Sequence, residues 1–104
     1  MNAGFQLDLS GFDRLLEHRS RLVICVLLGA ERSLNFRDFK NLLKESDGNL
    51  GAQLRKLEDA GYLKVKKEFA ERKPISRYSL TRKGMNALEE HVVALHRLTQ
   101  DFQD

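Results

Sequence analysis

Cysteine is reduced to one residue, Cys25, proline to one, Pro74, and tryptophan is absent from this 104-residue chain. A lone thiol excludes an internal disulfide framework and a zinc site built from several cysteines. Cys25 sits inside the apolar run at residues 22–28, where a small hydrophobe belongs to the core and nothing nearby stabilises a thiolate. That run is the longest in the chain and far shorter than the ~18 apolar residues of a membrane span. The N-terminus also lacks the basic stretch, apolar segment and small-residue cleavage site of a secretory signal. The expectation is a cytoplasmic protein of one domain, 1–104, with a reduced structural thiol. Catalytic patterns are missing too. His18, His91 and His96 contain no pair four residues apart, there is no Gly-rich phosphate loop, and no Ser-His-acid set is suggested by spacing. Glu89 and Glu90 adjoin and therefore face different directions on a helix. No enzyme, no metal site and no cofactor are expected.

Charge is present and unevenly placed. Residues 1–51 hold seven Lys/Arg and seven Asp/Glu; residues 52–83 hold ten against four; residues 84–104 hold one against four. The net +3 is thus an excess of +6 in one segment, partly offset by an acidic end. A localised basic surface is the electrostatic footprint of polyanion binding. A membrane-surface reading would want those cations on an amphipathic helix beside exposed aromatics, whereas most of them fall on a hairpin pattern.

Along the chain, residues 1–9 carry no pattern and are expected to be lightly packed. Ser10 reads as the cap of a short helix with Phe12, Leu15 and Leu16 on its apolar side. A helix from about 20 to 28, apolar almost all round, reads as the central core element, ended by Gly29. After a polar loop and a very short strand or extended entry at Leu34-Asn35-Phe36, a helix over about 37–44 is expected to bury Phe36, Phe39, Leu42 and Leu43.

The brief connection Glu45-Ser46 leads to the most informative stretch, residues 46–62. Leu50, Leu54 and Leu57 stack on one helical face, Ser46 is placed to cap it, and Gly61 to stop it in a left-handed conformation. Asn49, Ala52, Gln53, Arg55 and Lys56 point away from the leucines. Two helices joined by so short a turn form a helix-turn-helix pattern. The periodicity then changes to alternation at residues 62–69 and 75–80, which predicts a β-hairpin around a five-residue loop at 70–74. Its tip and flanks carry Lys64, Lys66, Lys67, Arg72, Lys73 and Arg77. Thr81 opens a final helix, 81–104, along which Met85, Leu88, Val92, Leu95, Thr99 and Phe102 follow a heptad-like seam. Such a length on so small a domain points to a helix contact with a second copy of the chain.

With Leu-Glu-Asp-Ala-Gly-Tyr-Leu at 57–63, Lys-Pro-Ile-Ser-Arg-Tyr-Ser-Leu-Thr at 73–81 and Gly84 three residues later, the chain resembles the winged helix-turn-helix transcriptional regulators. The nearest group is the small MarR/ArsR-like regulators of bacteria and archaea, and the likeness covers about residues 12–98. The fold expected is mainly α with a small β-hairpin (α+β), a core over about 12–80 and a long C-terminal helix. The resemblance implies a homodimer on double-stranded DNA, with the helix over about 47–60 in the major groove and the wing, 64–77, on the backbone or minor groove. Carried over residue by residue, Asn49, Gly51, Ala52, Gln53, Arg55 and Lys56 match the DNA-facing helix positions, and Arg72, Lys73 and Arg77 match the wing. Met85, Leu88, Val92, Leu95 and Phe102 fall where the group forms its dimer contact. Gly51 and Gln53 depart from the hydroxyl and histidine frequent at those places. The competing reading is a winged-helix module for protein–protein contact without sequence-specific DNA binding. A small-molecule effector between dimer helices is a third, for which no polar cluster is visible.

Overall fold

The computed structural model describes residues 7–103, apart from the side chains at 101 and 103. The part of the N-terminal expectation that falls on residues 1–6 lies outside the described residues, whereas Leu7 and Leu9 are exposed. The order of elements is a short 3-10 turn (Arg14–Leu16), α1 (Arg19–Ala30), β1 (Leu34–Asn35), α2 (Phe36–Leu43), α3 (Asp47–Asp59), β2 (Leu63–Ala70), β3 (Lys73–Leu80), α4 (Arg82–Thr99) and a terminal 3-10 turn. This is the expected α+β arrangement, mainly helical with a small β-hairpin and a long last helix.

Most boundaries follow from local chemistry. Asn35 caps α2 by accepting the Asp38 N–H while Asp38 accepts the Asn35 N–H, a reciprocal capping box. Ser46 caps α3 through the Asn49 N–H at 3.1 Å. Gly61, at φ +81°, closes α3 in a Schellman motif: its N–H donates to the Glu58 carbonyl and that of Tyr62 to the Leu57 carbonyl. Thr81 caps α4 through the Gly84 N–H.

The core gathers Leu16, Ile24, Cys25, Leu28, Phe39, Leu50, Leu54, Leu57, Leu63 and Leu88. The three leucines that define α3 are fully buried, which presses the helix against the body of the domain and leaves its opposite side in water.

Several expectations are corrected. Ser10 caps no helix; its hydroxyl and N–H both donate to Asp8, and Asp13 instead caps a single 3-10 turn through the Leu15 N–H. Gly29 does not end α1, which continues to Ala30. A side chain there would meet Leu88 at 3.3 Å, so the residue serves close packing of α1 on α4. α1 is not buried all round, since Val26 is exposed, and Leu42 of α2 is exposed as well. The short piece at Leu34 pairs with Tyr78, so the hairpin is part of a three-stranded antiparallel sheet, β1-β3-β2. The loop is two residues, not five, because Ala70 pairs with Lys73. Glu71 (φ 51°) and Arg72 (φ 65°) both take left-handed conformations, the pattern that matches a tight hairpin to strand twist.

Candidate nucleic-acid interface

The geometry of the interface begins with how α3 is held. Lys44, at φ 55°, turns the chain out of α2, and the Lys40 ammonium secures the corner by donating to the Glu45 carbonyl (2.6 Å) and pairing with Asp47 (2.7 Å). Behind the corner runs a chain of polar contacts. Arg21 donates to the Leu15 carbonyl (2.6 Å) and to Gln53 Oε1 (2.7 Å); Gln53 Nε2 donates to Asn49 Oδ1 (3.1 Å); Asn49 Nδ2 donates to Glu45 Oε2 (2.7 Å). The buried Ser20 hydroxyl completes it on Glu45 Oε1. Both amides of α3 are therefore engaged by the protein itself.

That network corrects one expected outward residue. Gln53 is 7% exposed, because satisfying the half-buried Arg21 guanidinium requires an acceptor on the inner flank of α3. Asn49 is exposed but shares its amide with Glu45 and Gln53. The sequence reasoning missed Ser20, Arg21 and Glu45 as its partners. The signal available was the i, i+4 spacing of Asn49 and Gln53 on one helical flank, with the acid Glu45 in the connection just before the cap.

Ala52, Arg55 and Lys56 are exposed, and Gly51 is half-exposed. A methyl group at Gly51 would meet nothing within 4 Å, so packing does not demand glycine there. Between α3 and the sheet lies an open groove of about 790 Å³ lined by Gly51, Arg55, Glu58, Asp59, Val65, Lys67, Ser76 and Tyr78. Tyr78 packs edge-on to Phe39, and burial, followed by the Glu58 charge, raises its phenol above the usual range.

The hairpin divides its cations between two faces. Alternation puts Val65, Lys67 and Phe69 on the groove side and Lys64, Lys66 and Glu68 on the other. Arg77 is registered opposite Lys66, so it belongs to the far face, where it meets Glu68 at 3.4 Å; Lys66 also approaches Glu68, at 3.7 Å. Arg77 is thus not brought together with Arg55 and Lys67, a correction to its expected place on the interface. Arg72 and Lys73 are exposed at the tip, beyond the end of the groove. The cations of residues 52–83 therefore do not form one surface.

Support comes from the other end of α3. The Tyr62 hydroxyl donates to Asp13, whose own N–H donates to Nδ1 of the buried His91 at 3.0 Å. Burial, then the Asp13 hydrogen bond, pushes Tyr62 up to about 12. Lys83 lies over the Tyr62 ring and donates to the Ala60 carbonyl. The glycine at 84 admits the Tyr62 carbonyl, which would lie 2.2 Å from an added Cβ.

On α4 the inner face is Gly84, Leu88, His91 and Ala94. Leu88 is 7% exposed and packs into its own domain, so it is corrected out of the expected partner contact. Met85 and Leu95 are half-buried, while Val92, Val93, Leu98 and Phe102 are exposed. An Asp8–Arg97 pair at 3.5 Å brings the segment bearing exposed Leu7 and Leu9 to the same helix.

The family model described as a winged helix DNA-binding domain matches residues 20–99. An uncharacterized protein from Methanocaldococcus jannaschii is 28% identical over 83 residues, covering 80% of this chain and 90% of that protein. Among solved structures, a transcriptional regulator homologue from Pyrococcus horikoshii OT3 superimposes with a TM-score of 0.80 at 27% identity, covering 86% of this chain and 89% of that one. The zinc-responsive MarR family member ZitR from Lactococcus lactis is alike in fold, with a TM-score of 0.64 at 20% identity over 99% of this chain and 65% of its own.

Proposed function

The chain belongs to the winged helix DNA-binding domain family, and on that premise we propose that it is a dimeric transcriptional regulator that binds double-stranded DNA. α3 enters the major groove and the hairpin follows the backbone or the adjacent minor groove. The observation that carries this reading is the α3 flank left in water once its leucines are buried, with Ala52, Arg55 and Lys56 exposed on it and a separate pair of exposed cations, Arg72 and Lys73, at the hairpin tip; the groove between them carries Glu58 and Asp59 as well as Arg55 and Lys67. With the amides of Asn49 and Gln53 held internally, base reading falls to Ala52, Arg55 and Lys56. Ala52 offers an apolar contact for a thymine methyl, and Arg55 a bidentate fork for guanine. Lys67, Arg72 and Lys73 supply phosphate contacts, which position the protein without reading sequence. The outer face of α4, with Val92, Val93, Leu98 and Phe102, joins the two copies, and the protein resides in the cytoplasm with its DNA.

The test is selection of duplexes from a random pool by the full chain, followed by titration of a selected and a scrambled duplex at several salt concentrations. Log K falls linearly with log[salt] at about −0.9 per phosphate neutralised. Lys73→Ala weakens binding to both duplexes and flattens the slope by about one contact. Arg55→Ala costs about 1–3 kcal/mol on the selected duplex alone. Failure to retain any duplex at 50 mM salt overturns the reading and leaves the protein-contact module.

A further inference from the structure

The groove face of the hairpin ends in a residue that phosphate binding does not explain. Phe69 is 75% exposed, the most exposed aromatic of the folded body before the C-terminal turn. It stands opposite Pro74, itself exposed, at the last but one register position before the two-residue turn. Both lie on the same side of the sheet as Val65 and Lys67. An apolar ring and a proline therefore project together from the tip, with Lys67 two residues back along the strand on the same face, Glu71 and Arg72 in the turn beyond them, and Lys73 alternating to the other face.

Three features select the occupant. Lys67 on the ring's own face and Arg72 in the turn outnumber Glu71 there and favour a polyanion over an apolar protein surface. A phenyl ring makes no hydrogen bond to phosphate, so within a polyanion it finds its counterpart on a base face. The mount is stiff: the turn is the shortest a hairpin allows, and Pro74 has a fixed φ. From Val65, beside α3, to Phe69 is four residues, roughly 13 Å at 3.3 Å per residue. Half of a DNA turn is roughly 17 Å, so this reach is of the size needed to bring the tip toward the minor groove next to the major groove that α3 would occupy.

We infer that Phe69, backed by Pro74, is an apolar wedge that enters the minor groove and partly unstacks one base step, so that the protein kinks the DNA it binds. The inference rests on the DNA-binding reading above. It adds that part of the specificity lies in deformability, with flexible pyrimidine–purine steps preferred over stiff A-tracts under the tip.

The experiment uses the full chain and a selected duplex, with 2-aminopurine placed at successive steps beside the α3 contact and a donor–acceptor pair at the duplex ends. Wild type should raise 2-aminopurine emission at one step and shorten the end-to-end distance. Phe69→Ala should keep the wild-type salt slope, lose both signals and bind about 5- to 150-fold more weakly, the range for loss of one base–aromatic stack. Phe69→Leu should restore part of the kink, and Lys73→Ala should flatten the salt slope while keeping the emission step. Salt-dependent binding without bending or emission change, or a Phe69→Ala variant equal to wild type, overturns the wedge and leaves the DNA-binding reading standing. Absence of any duplex binding overturns both, and Phe69 dependence seen only toward a protein partner overturns the wedge.

Discussion

Gln53 illustrates how a residue's address on a helix can mislead about its work. Its spacing from the leucines points outward, yet it closes a hydrogen bond with Arg21 and hands another to Asn49. Gln53→Ala should therefore lower stability by about 1–3 kcal/mol, the cost of orphaning a partly buried guanidinium, with little change in the ratio of selected to scrambled binding; urea unfolding and titration of both duplexes separate these effects. Glycines divide in the same way. Gly84→Ala drives a methyl into the Tyr62 carbonyl and should cost about 3 kcal/mol or more, whereas Gly51→Ala, with open space around it, should gain about 1 kcal/mol of helix propensity; thermal melts of the two variants check both signs. Alkali reports on the interior. Cys25, pushed up to about 12 by burial and then by Asp13, and Tyr62, raised to about 12 by burial and then by its Asp13 bond, keep their protons longer folded than unfolded. The unfolded chain then loses protons first as pH rises above about 9, so stability contributed by both is complete below that pH and is lost as pH climbs toward 12. Chemical denaturation between pH 8 and 12 should show that decline, and Tyr62→Phe should remove the part that follows tyrosinate absorbance.

At the level of elements, helices were the most legible part of the sequence. The leucine stripe, Ser46 and Gly61 prescribe α3 almost to the residue, because capping and left-handed termination are local chemistry. The turn at Glu71-Arg72 was not legible. Asn-Gly or Asp-Gly would have announced a two-residue hairpin, while Glu-Arg at φ 51° and 65° carries a left-handed backbone without either. β1 was equally hard to size, since its pairing with β3 is settled by a partner over forty residues away. Two ordinary side chains in left-handed geometry store roughly 1–3 kcal/mol each, a cost tolerated where the side chains are useful. Arg72→Gly should raise stability by about 1 kcal/mol while weakening DNA binding and flattening its salt slope. Opposite signs in melting and titration experiments are the expected pair; a loss in both would mean the turn is unstrained.

For the whole molecule, the difficulty in reading the site was convergence. Charge counts along the chain add Lys66 and Lys67 alike, but a pleated strand sends neighbours to opposite faces. Arg77 accordingly joins Lys66 and Glu68 across the sheet from the groove. The seam on α4 loses one member for a related reason: Leu88 satisfies the heptad spacing yet is taken by the domain's own core beside Gly29, leaving Val92, Val93, Leu98 and Phe102 exposed. Val93 is 55% exposed, so Val93→Asp should leave the melting of the fold within about 0.5 kcal/mol. If α4 joins two copies as proposed, sedimentation equilibrium should report a dimer for wild type and a monomer for the variant, and a dimer that persists would put the subunit contact elsewhere. The internal fastening of Asn49 and Gln53 has a consequence on an evolutionary timescale. Ala52 is exposed, and Arg55 and Lys56 have no side-chain hydrogen bond or ion pair among the described residues, so replacing these side chains breaks no polar contact of the scaffold. On the DNA-binding reading, exchanges that accumulate at these three positions shift which bases are favoured and leave the architecture intact.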